Sequence, residues 1–214
     1  MKNPNERVWY AVYGTNLNEQ RFSCYIKGGV PEGTSRADAG CRDKTPAIDG
    51  GKTTLPYPLY FFKRSAKWEN GSVGFLALKK DPAAKTLGRK YSVKRQQFED
   101  IFKQSNGISS DREFPVDLEK VMQAGALTLS ESWFGRIVFL GLEEGVPVFT
   151  LTAYWDFEPG EVSAPSGKYL AHFVKGLRQT YGFSDAQIVE YLADKPGIRS
   201  NLSKEKLLAL VAGR

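Results

Sequence analysis

An aromatic, apolar run from Val8 to Tyr13 breaks abruptly at Gly14-Thr15-Asn16. Where a buried strand ends in a short polar turn ahead of a helix, consecutive backbone N–H groups form a concavity that holds carboxylates and other anions. A Gly-polar-Asn turn after a strand is commonly only a turn, so the other reactive side chains have to be weighed beside it. His172 is the one histidine, and it falls among apolar neighbours at helical spacing, the pattern of a packed or surface histidine. Cys24 and Cys41 show no CxxC spacing; with a single histidine the common Cys/His zinc sites are excluded, and neither metal nor cofactor is expected. Arg42 beside Cys41 could lower that thiol's pKa, but burial of both thiols is the simpler expectation. Trp9, Trp68, Trp133 and Trp155 are too scattered to make a base-stacking platform and read as core.

The elements that must position these residues follow from pattern. Val8–Tyr13 reads as a buried strand, and Leu17–Ile26 as a short helix ended by Gly28-Gly29. The polar, turn-rich stretch from Gly33 to Leu55 reads as a surface excursion. Leu59–Phe62 and Ser72–Leu78 are strand-like and joined at Asn70-Gly71, a hairpin signal. Phe98, Ile101 and Phe102 sit at helical spacing within Lys94–Gln104, with Asn106-Gly107 as the stop. Ile137–Leu142 and Pro147–Phe157 are two more strands around Glu144-Gly145. After Pro159 the character turns helical, with expected helices over Tyr169–Tyr181, Ser184–Leu192 and Ser203–Val211, the second opened by a capping-box pattern. Strands first and helices later make the class α+β, around an antiparallel sheet or barrel.

Composition narrows the partners. Of 214 residues, 41% are hydrophobic and 13% aromatic, enough for a substantial core and too many for a disordered chain. A formal charge of +6 favours anionic ligands at long range. The densest basic stretch, Lys79–Arg95, is interrupted by Asp81-Pro82 and apolar residues, so nucleic acid is not the expected partner. No apolar run reaches the ~18 residues needed to span a membrane. The polar start, Met1–Arg7, lacks a signal peptide's apolar core, and a cytoplasmic protein with reduced thiols is expected.

Tyr13-Gly14-Thr15-Asn16-Leu17 after an aromatic strand resembles the Tyr-Gly-Ser-Asn-Leu signature of the γ-glutamylcyclotransferase (AIG2-like) family. Ala164-Pro165-Ser166-Gly167-Lys168-Tyr169, followed by Val174, Gly176 and Leu177, resembles that family's Pro-Ser-x-x-Tyr segment and the helix it opens. The resemblance implies a mixed or antiparallel barrel-like sheet with flanking helices. It covers residues 1–183, with 28–55 as a loop insertion and 184–214 as a helical extension packed on the domain. Arg21-Phe22-x-Cys24-Tyr25 and the tail resemble a less characterised group of bacterial relatives. Tyr13 to Leu17, Tyr154 and Tyr169 would line a site for a small carboxylate or γ-glutamyl compound. In the family the substrate's α-amine attacks its own γ-amide carbonyl, releasing 5-oxoproline, and a glutamate at a helix end moves the proton.

That glutamate's position falls on Ser105, because Phe98 and Ile101 occupy the two leucine positions of the family's helix pattern. A serine hydroxyl is too weak an acid and base to shuttle protons near neutral pH. Three readings stand open: a register slip that brings Glu99 or Asp100 to the site, a carboxylate such as Glu69 or Glu113 from another loop, or loss of the reaction, whether natural or by an introduced serine. The expected function is accordingly either an enzyme using a different acid/base or a non-catalytic binder of a small anion.

Overall fold

The computed structural model describes residues 3, 6–158 and 161–213. The polar N-terminal stretch from Met1 lies partly outside the described residues, as does Pro159, where the sequence changes character.

Strand β1 (Arg7–Val12) sits inside a six-stranded sheet together with β2 (Ile48–Leu55), β5 (Thr86–Lys94), β6 (Ala126–Thr128), β7 (Arg136–Glu143) and β8 (Val146–Thr152). The order is β2-β5-β1-β8-β7-β6. Only β1 and β8 run parallel; every other neighbouring pair is antiparallel. Both faces of β1 are covered, so its sequence is nearly continuous in apolar residues. Val8, Tyr10 and Val12 enter one core with Phe22, Phe98 and Phe149. Ala11 and Tyr13 enter the other with Phe61, Phe75 and Phe173.

The sheet is open, which corrects the expectation of a barrel-like closure. Strands β3 (Leu59–Ser65) and β4 (Gly71–Leu76) pair only with each other. The outward N–H groups of β4 are taken elsewhere: Ser72 donates to the Ala164 carbonyl, Gly74 to Tyr169 Oη and Leu76 to Thr152 Oγ1. The hairpin therefore docks by side-chain and loop bonds rather than by continuing the ladder. Its connection is also longer than the Asn70-Gly71 signal implied, because a 3-10 turn, Ala66–Trp68, buries Trp68 before the chain reverses.

A second correction concerns residues 48–55, read as the end of a surface loop. They form edge strand β2, paired with β5 from Ile48↔Ser92 to Leu55↔Thr86. Polar composition and Gly50-Gly51 disguise it: the register shifts between Asp49 and Lys52, as at a β-bulge, and the ring of Trp9 lies against Gly50 where a side chain would stand.

Each helix near the site begins with a legible cap. Asn18 Oδ1 accepts from the N–H groups of Gln20 and Arg21 at the start of α1 (Glu19–Lys27), and Gly28 at φ 83 ends it. Helix α2 (Arg95–Ser105) buries Phe98, Ile101 and Phe102, and α3 (Leu118–Ala124) buries Leu118 and Val121 in the same core. Ser166 caps α4 (Gly167–Tyr181) by accepting from Tyr169 N–H. Helices α5 (Asp185–Ala193) and α6 (Lys204–Val211) place Ile188, Leu192, Leu207 and Val211 in one core with Phe61 and Phe173. Among the described residues no helix is long and apolar enough to cross a membrane.

One contact seats the Gly14–Leu17 turn. A Cβ on Gly176 of α4 would lie 2.4 Å from Leu17 Cβ and 2.5 Å from the Asn18 nitrogen, so only glycine allows α4 to lie on the turn. Gly176→Val should cost about 1–3 kcal/mol by overpacking. Urea unfolding would register it, and an unchanged midpoint would show that the helix does not bear on the turn.

Candidate functional site

The end of β1, the first turn of α1, the end of α2 and Tyr169 of α4 enclose a cavity of about 600 Å³. That volume is in the range of small-ligand sites. Of the residues singled out from sequence, Tyr13, Thr15, Asn16, Ser105 and Tyr169 line it. Gly14 and Leu17 lie behind the wall. Gly14 has φ 67, and a Cβ there would stand 2.7 Å from Tyr169 Oη. The glycine thus serves two ends, a left-handed backbone and close approach of the tyrosine. Leu17 is fully buried against α4. Tyr154 does not line the cavity: β8 ends at Thr152, and the ring is 39% exposed beside Trp155. The resemblance placed this tyrosine at the site, but the chain has left the strand before reaching it.

The two inward tyrosines are tied to backbone. Tyr13 Oη donates to the Leu151 carbonyl at 2.8 Å. Tyr169 Oη accepts from Gly74 N–H at 2.9 Å and is also approached by the Thr15 backbone; burial nonetheless pushes its pKa up to about 12. Both phenols stay protonated at neutral pH. Asn16 Oδ1 is buried without a hydrogen-bond partner among the described residues, while the side chain's amide meets the Tyr10 hydroxyl.

Ser105 is held rigidly at the edge of the cavity by its neighbours. Gln104 accepts from Gly40 N–H at 2.8 Å and donates to the Tyr25 carbonyl at 3.0 Å. Asn106 donates to the carbonyls of Phe102 and Phe134 and accepts from Phe134 N–H. The apolar register of α2 is intact, so no slip brings the helix carboxylates round. Asp100 is fully buried and bound by Arg42, and Glu99 pairs with Arg95. Glu69 pairs with Lys168 at the surface, and Glu113 is exposed. None of these four lines the cavity.

The one carboxylate that does is Asp38, which sequence reading did not single out. Arg21 Nη1 donates to Asp38 Oδ2 at 2.5 Å and Lys67 Nζ to Oδ1 at 3.1 Å. Arg21 is 3% exposed and lies 4.5 Å over the Tyr25 ring. Burial works to lower its pKa, but Tyr25 and Asp38 outweigh burial and raise it, so the guanidinium stays charged. Its Nε has no partner among the described residues. Trp68 and Trp133, read as core, also form part of the wall. The available signal was spacing: Arg21 and Tyr25 stand four apart on the helix that follows the turn, and so share a face.

The remaining reactive groups are structural. Arg42 is committed to Asp100, and burial pushes the Cys41 thiol up to about 12 and raises that of Cys24, so neither is an activated nucleophile. His172 Nδ1 accepts from Asn18 Nδ2 at 3.0 Å and Nε2 donates to the Glu32 carbonyl at 2.8 Å. The amide orientation is fixed because Asn18 Oδ1 caps α1.

No family model matches the chain. A solved structure of gamma-glutamyl cyclotransferase superposes with a TM-score of 0.50 at 13% identity, covering 98% of this chain and 100% of that one. The crystal structure of an uncharacterised protein from Homo sapiens does so equally, at 0.50 and 13%, covering 97% and 99%. This chain has the γ-glutamylcyclotransferase-like fold. In sequence it is also 31% identical over 202 residues to a protein of Arabidopsis thaliana named Histone deacetylase 5. The match takes in 86% of this chain but 30% of the plant protein's length. In this chain the turn after the first strand, the end of α2 and Tyr169 of α4 border one cavity.

His172 gives the assembly a pH signature. Burial is the main cause that lowers its pKa from the ordinary 6.5, with Arg21 and Lys175 adding to it and Glu32 opposing. The histidine therefore takes up a proton on unfolding. Stability should be full above about pH 6.5 and fall as pH drops through the folded pKa. Urea midpoints from pH 7.5 to 5.5 should show that loss in the parent protein and a flatter profile in His172→Gln. Since the chain has no other histidine, equal losses in both would remove His172 as the cause.

Proposed function

We propose that the cavity is a binding site for a small amino-acid-like carboxylate, a γ-glutamyl compound being the best fit, and that the chain does not carry out 5-oxoproline formation. The observation that carries this reading is the make-up of one cavity wall, where the buried Arg21 and the part-buried Lys67 share the carboxylate of Asp38 and Asn16 stands on the turn beside them. A ligand with a carboxylate and an ammonium or amide N–H would complement the cations and the polar groups of that wall. The Tyr169 hydroxyl beside the turn supplies another polar group.

Cyclisation additionally needs a base to accept the amine proton and an acid to return it. Ser105 is not such a group. A serine becomes reactive only beside a base, and both ring nitrogens of His172 are occupied at Asn18 and Glu32. Both oxygens of Asp38 are already engaged by cations, Oδ2 by Arg21 and Oδ1 by Lys67. Binding without turnover is therefore the favoured reading, and an enzyme with Asp38 as its base is the runner-up.

Two variants test it. Ser105→Glu would put a carboxylate where the family's proton shuttle is expected. Release of 5-oxoproline from γ-glutamyl dipeptides by this variant alone supports the reading, while comparable release by the parent chain overturns it. Gly14→Val adds a side chain at positive φ against Tyr169 Oη. It should weaken γ-glutamyl ligand binding by at least about tenfold in calorimetry, since the turn and the tyrosine can no longer touch. Unaltered affinity would take the turn out of the site.

A further inference from the structure

The cavity's charges do not balance. Three cationic side chains, Arg21, Arg36 and Lys67, face the single carboxylate of Asp38, leaving two positive charges in excess. The tyrosines do not offset this, because burial keeps Tyr10 and Tyr169 protonated. The excess has definite places. Arg21 is almost wholly buried and spends Nη1 on Asp38 while Nε stays unmet. Lys67 is 23% exposed and shares the same carboxylate through one bond. Arg36 lies exposed at the rim, two residues before Asp38, with no ion-pair partner among the described residues.

An ion that stays charged in a partly desolvated wall is stabilised by an opposite charge brought to it, and the lower the local dielectric, the larger the gain. A ligand with equal positive and negative charge would leave the imbalance as it stands. On the reading that this cavity holds an amino-acid-like carboxylate, we infer that its ligand carries two net negative charges: an acidic γ-glutamyl conjugate rather than a zwitterion or a monoanion. One carboxylate lies toward Arg21 and Lys67 in the interior, and the second lies toward Arg36 at the rim. Arg36 is thus a specificity-determining residue.

Three congeners of similar length separate the possibilities by calorimetry at low salt: γ-glutamylalaninamide, γ-glutamylalanine and γ-glutamylglutamate, which are neutral, singly and doubly negative. Affinity should rise by about tenfold with each added charge and the increments should shrink as salt is raised. Arg36→Ala, a surface change that spares the fold, should weaken γ-glutamylglutamate by about fivefold or more and leave γ-glutamylalaninamide within about twofold. Equal affinities for the three, or an Arg36→Ala loss shared by all, would overturn the charge inference and leave the binding site standing. If inorganic phosphate binds as well as γ-glutamylglutamate, the site is a general anion hole and the amino-acid-like ligand is overturned. If none of the four binds, the proposed function falls with it.

Discussion

The site depends on how closely α4 can approach the turn after β1. Gly176 brings the helix backbone against Leu17 and Asn18, and Gly14 admits the hydroxyl of Tyr169, one turn into the same helix. Two missing side chains therefore fix one helix against one loop at both ends of their contact. Tyr169 then reaches across to Gly74, which ties the β3–β4 hairpin to the same point. Because interiors are close-packed, a shift of a few tenths of an ångström at either glycine has to be taken up by the turn, the hairpin or the helix. The cavity is thus shaped by a three-way junction of elements far apart in sequence.

From that junction the polar wall follows in order. The turn ends at Asn18, whose Oδ1 caps α1 and whose amide nitrogen engages His172. The cap sets the start of α1, and with it the face that carries Arg21 and Tyr25 into the cavity. His172 Nε2 donates to Glu32 O, and Arg21 reaches Asp38, so the long connection after α1 is pinned at two points to α4 and α1. The 3-10 turn Ala66–Trp68 adds Lys67 to the same carboxylate and packs Trp68 on Tyr169 and His172. A segment that reads as polar loop is in this way drawn over the site by one histidine and one ion-pair cluster.

What was legible in the sequence had a local cause. The turn was visible because a buried strand must end where glycine and polar residues begin. The register of α2 was visible because Phe98, Ile101 and Phe102 have to share a buried face, and that register carried Ser105 to the cavity. What was hidden depended on tertiary pairing. Asp38 becomes a site residue only through Arg21 and Lys67, which lie 17 and 29 positions away. Strand β2 is polar and bulged because it is an edge, with little to bury on its outer side. Tyr154, placed at the site by resemblance, lies beyond the end of the strand; the Thr152 hydroxyl locks that end of β8 to Leu76, and Asp156 takes the Leu78 N–H. Period alone does not say where a strand ends.

The same framework binds some cavity residues more tightly than others. Tyr13, Gly14, Tyr169 and Gly176 are bound up with the core, and changing them disturbs packing between elements. Ser105 sits at a helix end held by Gln104 and Asn106, so its own side chain contributes little to that hold. A substitution there alters the chemistry at the cavity edge while the clamp on either side keeps the edge in place. The packing around the turn and the side chain at the cavity edge therefore rest on different residues. Asp38 belongs to the wall itself: Arg21 engages one of its oxygens and Lys67 the other.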